Sequence, residues 1–287
     1  MATETVPPSA TALAHVNASI ARADDGAGET DTVSTISMRP ILSGPRRDGP
    51  RSQPLDALIA ELDGRLDGIA AAHPGHRVKL ASSLAAEDMV LTHAILSRHV
   101  DIGIFTLQTG RLHVETVGML DTVESRYGYR IEAFEPRPEA VARYVDAHGL
   151  NAFYESVDLR KACCEMRKVE PLNRALTGVD AWVTGQRREQ SVTRTELPHR
   201  EHDGARDIAK YNPLADWTEA DVWAYLDRLD VPVNPLHARG YPSIGCEPCT
   251  RAVRAGEDSR AGRWWWESRD TKECGLHQNV ATSDSKQ

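Results

Sequence analysis

The sequence predicts an α/β fold: a mostly parallel sheet flanked by helices. From position 55 onward, short apolar and partly β-branched runs alternate with longer segments of helical periodicity. Small-residue and charged segments follow several of the apolar runs, where open parallel sheets bind their ligands. No apolar run approaches the roughly 20 residues a membrane helix needs, so no membrane association is expected.

Taken in order, residues 1–53 are rich in Ala, Thr, Ser, Pro, Gly and Asp without periodicity and predict a disordered N-terminal tail. They carry neither a basic n-region nor an apolar h-region, so the expectation is a cytoplasmic chain. Residues 54–250 are expected to form the α/β domain. Leu55, Leu58, Ile59, Leu62, Leu66 and Ile69 recur at helical spacing and predict the first helix. Arg77–Ala81 reads as a strand, Glu87–Leu96 as a helix, and Ile102–Leu107 as a second, buried strand. Val114–Tyr127 reads as a helix, Tyr129–Phe134 as extended, Glu139–Ala147 as a helix, and Ala181–Thr184 as a further strand. A helix starts at Thr218, with Asp221 three residues on in a variant of the capping box and Trp217 and Val222 as a hydrophobic staple, and runs to about Leu229. Residues 251–287 are expected to form an Arg-rich segment and a mobile tail.

A formal charge of −8 argues against a general nucleic-acid binder, whose domains are usually basic. Local positive patches remain available for a small anion. Ser82-Ser83-Leu84-Ala85-Ala86-Glu87-Asp88 lies between a strand and a helix, where backbone N–H groups and a helix N-terminus can face an anion; an ordinary βα turn reads the same way. A Walker lysine motif is absent from it. Arg111 and His113 follow the second strand. Gly185-Gln186-Arg187-Arg188-Glu189 follows the Ala181 strand and puts two arginines where they meet either an anion or acidic partners, or form a solvated charged loop.

Five cysteines divide into two close pairs, Cys163-Cys164 and Cys246-Glu-Pro-Cys249, and a fifth, Cys274. An odd number without an export signal argues against a disulfide framework. Two pairs far apart in sequence can close on one metal centre, zinc or an iron-sulfur cluster; buried free thiols and a redox-active CxxC are the other readings. Cys163 and Cys164 lie in a segment, Leu159–Glu170, that reads as one helix, with Arg167 and Lys168 a turn further on. Arg251, Arg254, Arg260 and Arg263 follow Cys249, interspersed with acids as on a solvated face. Trp264-Trp265-Trp266 points three ways and reads as packing. Cys274, beside Lys272 and His277, is placed as a thiolate nucleophile; if the other four hold metal, only an external dithiol can resolve it.

These segments together resemble the bacterial iron-sulfur adenylyl-sulfate reductases, relatives of the PAPS reductases. The resemblance spans about residues 55–280 and rests on Ser82–Asp88, Thr109-Gly-Arg-Leu-His113, Cys163-Cys164 with Arg167-Lys168, Gly185–Ser191, Cys246-xx-Cys249 and Glu273-Cys-Gly-Leu-His277. It implies an adenine-nucleotide α-hydrolase-like fold with a modified PP-loop and a [4Fe-4S] cluster on Cys163, Cys164, Cys246 and Cys249. It also implies reduction of adenosine 5′-phosphosulfate (APS) to sulfite and AMP, in sulfate assimilation and cysteine biosynthesis. Ser82, Ser83, Glu87, Arg111, Lys168, Gly185, Arg187, Arg260, Arg263 and His277 would bind substrate, Lys168 lying between cluster and nucleotide. Cys274 would be the nucleophile and reduced thioredoxin the separate electron donor; a homo-oligomer is compatible. Ala85 stands where the family usually has glycine, and Gln108 replaces the usual aspartate of LDTGR. The alternatives are a PAPS reductase, a PP-loop ATP pyrophosphatase that adenylates its substrate, and a zinc-stabilised binding module.

Overall fold

The computed structural model describes residues 47–190, 194 and 196–268. Helix α1 (Leu55–Ala72) turns Leu58, Leu62, Leu66 and Ile69 inward as one apolar stripe. Then come β1 (Val78–Ala81), α2 (Ala86–Ser97), β2 (Gly103–Leu107), α3 (Val114–Tyr127) and β3 (Glu132–Phe134). Helix α3 stops at Gly128, whose φ of 65° lets its N–H return to the Glu124 carbonyl at 2.9 Å. Helices α4 (Pro138–His148), α5 (Val157–Cys164) and α6 (Glu170–Ala175) precede β4 (Ala181–Val183). The hairpin β5 (Arg200–Asp203) and β6 (Ile208–Tyr211), which the sequence reading did not anticipate, leads into α7 (Glu219–Arg228).

The sheet runs β3-β2-β1-β4-β6-β5, with every neighbouring pair parallel except β5 and β6. In register, Leu80 faces Ile104 on one side and Val183 on the other. These residues point into the core formed with α1, α2 and α7, where Met89, Ile95, Trp217, Val222 and Leu226 are buried. Their neighbours Phe105 and Trp182 point to the opposite face, against Leu172, Ala175 and Leu176. The period-two alternation of the strands thus feeds two helix layers.

The expected capping box is present: Thr218 Oγ1 accepts from Asp221 N–H at 3.1 Å and Asp221 accepts from Thr218 N–H at 2.8 Å. Residues 47–53, in the segment expected to be a tail, lie against this helix. Ser52 Oγ donates to Asp221 at 2.6 Å, and the Arg47 guanidinium sits 4.8 Å from the Trp223 ring. Leu159–Glu170 is not one regular helix. After α5 the chain makes a π-helical turn, Glu165–Val169, in which Glu170 N–H returns to the Glu165 carbonyl. No described helix is long and apolar enough to cross a membrane.

Candidate functional site

The chain crosses from β1 to β2 and β3 on one side, then returns to lay β4, β6 and β5 on the other. At such a reversal the loops leaving the two central strands diverge and open a crevice. A cavity occupies it. Ser82, Ser83 and Glu87 line it from the β1 loop, Gly185, Gln186 and Arg187 from the β4 loop.

The β1 loop is held by its own side chains. Ser82 Oγ accepts from Leu84 N–H at 3.2 Å, and Asp88 accepts from Ser83 N–H at 2.6 Å and Ser83 Oγ at 2.5 Å. The left-handed residue of the loop is Leu84, φ 61°; Ala85 is extended at φ −89°. The glycine missing at 85 is therefore not needed for backbone freedom, because the strained position lies one residue earlier. Burial pushes the Asp88 carboxyl up to about 6, against the lowering effect of its Ser83 hydrogen bonds. The two loops pack closely: a Cβ on Gly185 would overlap the Asp88 carboxylate, so glycine is required there for space.

Of the two arginines after β4, Arg187 is buried and finds acidic partners. It meets Glu87 at 2.8 Å and Glu189 at 3.1 Å. Burial opposes the Glu87 charge, but the Arg187 guanidinium outweighs it and holds the carboxyl below its ordinary range. Arg188 turns away and donates to the Leu197 carbonyl at 2.9 Å. His237, which the sequence reading did not select, also lines the cavity; its Nε2 accepts from Ala86 N–H at 3.1 Å and its Nδ1 lies 2.9 Å from the Tyr241 carbonyl. Gln186, in the β4 loop, also lines the cavity, and its Oε1 is buried with no hydrogen-bond partner among the described residues.

Beyond the far wall lie the paired thiols. Cys246 and Cys249 are buried with Phe153 and Trp264, and Cys163 packs against the same cluster. Cys164 is buried at the end of α5, where Arg160 hydrogen-bonds it. Thr109 Oγ1 lies 3.2 Å from Cys246 Sγ. Burial pushes the Cys249 thiol up to about 12, reinforced by the charge of Cys246, while Lys168 acts to lower it; burial also raises Cys163, opposed by Arg167. Coordination to a metal centre deprotonates such thiols outright. All four are free of disulfides. Among the described residues no three His, Cys, Asp or Glu side chains stand as ligands of a single ion. The donor set nonetheless fits a thiolate-ligated cluster: four thiols from two pairs, an apolar wall, and cations at its margin.

Lys168 joins the two halves, lining the cavity while its charge reaches Cys163 and Cys249. The π turn carries it; Arg167, one residue earlier, is buried and donates to the Thr109 carbonyl at 2.7 Å. Arg260 and Arg263 line the cavity as well. Arg111 does not. Its guanidinium donates to Asn151 Oδ1 at 2.9 Å and lies 5.4 Å from the Phe153 ring, while its carbonyl accepts from Glu247 N–H in the second cysteine loop. Cys274 and His277 lie outside the described residues.

Residues 77–252 match the family model described as the phosphoadenosine phosphosulfate reductase domain. A relative from Burkholderia cepacia, named adenosine 5′-phosphosulfate reductase, is 73% identical over 228 residues, 79% of this chain and 88% of its own length. Relatives of the same name from Allochromatium vinosum and Neisseria meningitidis serogroup B are 60% and 58% identical, covering 70% and 75% of this chain and 78% and 87% of their own. Among solved structures, a phosphoadenylyl-sulfate reductase from Candida auris, in a phosphate complex, superposes with a TM-score of 0.58 at 26% identity, over 71% of this chain and all of that one.

Proposed function

The chain belongs to the phosphoadenosine phosphosulfate reductase family, and from that premise we propose that it reduces APS to sulfite and AMP with thioredoxin as the electron donor. The observation that carries this reading is Lys168, which lines the cavity while its charge reaches Cys163 and Cys249, one thiol of each pair. The relatives named for APS rather than PAPS point to the substrate without a 3′-phosphate.

In this reading the Ser82–Ser83 loop and Gly185 receive the nucleotide, with Glu87 and Arg187 fixing the two loops against each other. Lys168, Arg260 and Arg263 meet the phosphosulfate, where planar guanidinium groups suit paired oxygens. Cys163, Cys164, Cys246 and Cys249 would hold a [4Fe-4S] cluster, which when bound supplies a fixed charge centre beside Lys168. The Cys274 thiolate attacks the sulfate sulfur; the bond from sulfur to the bridging oxygen breaks and AMP leaves with that electron pair. The cations stabilise the charge that develops on the departing phosphate. A thioredoxin thiolate then attacks Cys274 Sγ of the S-sulfocysteine, sulfite leaves, and the second thioredoxin thiol resolves the mixed disulfide. Thioredoxin dependence is consistent with a cytoplasmic location.

The test is sulfite release by iron-replete protein with purified thioredoxin, comparing APS with PAPS. Preference for APS is expected. Faster turnover of PAPS sinks the substrate assignment and leaves the reaction class; no sulfite from either sinks both.

A further inference from the structure

Trp264 is buried, yet its backbone is left-handed, with φ 40°. A bulky side chain adopts that conformation only where its surroundings over-determine it. Here the Trp264 backbone N–H donates to the Cys249 carbonyl at 3.1 Å and its own carbonyl accepts from Glu267 N–H at 2.9 Å, while the Cζ atoms of Arg160 and Arg263 lie 4.7 and 4.6 Å from the indole ring. Two like charges over one ring need compensation. Arg160 receives it from Glu267 through a fork, Nε to Oε1 at 2.7 Å and Nη2 to Oε2 at 3.0 Å, with both side chains buried. Arg263 is the member of the pair that lines the nucleotide cavity.

A second wall confines Arg263. A Cβ on Gly245 would lie 2.5 Å from Arg263 Cζ, and its three nearest neighbours would all be guanidinium atoms. Arg263 Nη1 also donates to the Ile244 carbonyl at 3.1 Å. The guanidinium therefore occupies a slot bounded by the indole and a residue that must lack a side chain. An arginine left loose would have to be ordered when the anion binds; one already held needs no such ordering, and its charge stands where the anion arrives.

We propose that Trp264 and Gly245 are positioning residues that act through Arg263, fixing its guanidinium in the orientation that receives the phosphosulfate. This rests on the reading that Arg263 meets the substrate. In this reading Trp264 does more than fill space: the left-handed turn places the indole where it supports a charge.

The test is a double-mutant cycle on iron-loaded Cys274→Ser protein, which binds APS without consuming it. APS affinity is measured by calorimetry, alongside iron and labile-sulfide content and the thermal midpoint. Gly245→Ala and Trp264→Leu should each weaken APS binding about tenfold when Arg263 is present, and less than about twofold in the Arg263→Ala background, the signature of coupled residues. Trp264→Phe, which keeps a ring, should fall between. Equal losses in both backgrounds, or no loss when Arg263 is present, overturn the proposal. If Arg263→Ala itself leaves APS affinity unchanged, the substrate role of Arg263 falls instead. Should Trp264→Leu lose iron or fail to fold, Gly245→Ala decides alone, because its added methyl meets Arg263 first.

Discussion

Arg187 donates from both Nε and Nη2 to a single oxygen of Glu87, at 3.0 and 2.8 Å, joining two loops 100 residues apart in the chain. The pair stands at the reversal of strand order and sets the distance between the β1 and β4 loops. Removing Glu87 leaves the buried guanidinium with the more exposed Glu189 as its acidic partner; breaking a buried pair costs up to about 3–5 kcal/mol, whereas replacing both partners with apolar residues costs far less. Glu87→Ala should therefore lower the urea midpoint sharply, and Glu87→Leu with Arg187→Met should recover much of the loss. A double variant no more stable than the single one would show that the two side chains are not coupled.

Asp88 predicts a pH dependence of stability. Its pKa rises from 3.8 to about 6, chiefly through burial, which corresponds to about 3 kcal/mol as an order of magnitude. A folded pKa above the unfolded value means the folded state holds the proton more tightly. The stabilisation is complete below 3.8 and is lost as pH rises through 6. Wild-type protein should lose stability between pH 4 and pH 7 by about that amount relative to Asp88→Asn, in denaturant titrations at each pH. Parallel pH profiles for the two proteins would remove Asp88 as the cause.

The paired thiols predict a composition. Anaerobically purified protein should contain about four iron and four labile sulfide per chain. Cys249→Ser should lose both along with activity. Stoichiometric zinc without labile sulfide in active protein would refute the cluster.

Arg260 and Lys168 line the cavity as cations. Arg260→Ala and Lys168→Ala should each lower kcat/KM for APS by about a hundredfold, a loss on the order of 3 kcal/mol from a charge-assisted contact. Their thermal midpoints should shift little, since both act on an anion rather than on the core. A midpoint that falls in step with activity would point to a structural role.

Cys274 is the only cysteine outside the two pairs. Mixed with APS and no thioredoxin, the enzyme should release one AMP per active site and stop, with an intact-mass gain of about 80 Da, an SO₃ group on the nucleophile. Reduced thioredoxin should discharge that adduct as sulfite. Cys274→Ser should form no adduct; repeated turnover by that variant, or an adduct mapped to Cys246, would overturn the assignment.

The sequence by itself determined the features written in near neighbours. Thr218 and Asp221 announce the capping box they form, because its two hydrogen bonds span three residues. The α3 segment was legible to its bounds, and the apolar stripe of α1 named the residues it buries. The pairing of the cysteines was also on the surface of the sequence. Only the tertiary structure decided where side chains went. Arg187 and Arg188 read alike as charges after a strand, yet one is buried on Glu87 and the other bonds a carbonyl outside the cavity. Arg111 follows β2 as a ligand-binding residue would, but its guanidinium turns to Asn151. The β5–β6 hairpin was not legible because Arg200–Asp203 is wholly polar and Ile208–Tyr211 is only four residues long, so neither reads as a strand until β6 pairs with β4 and β5 with β6. The π turn that carries Lys168 follows Cys164 without any residue that breaks a helix before Pro171. In each case local hydrogen bonding and periodicity are fixed within a few residues, while the destination of a charge depends on partners brought within reach only when the sheet assembles.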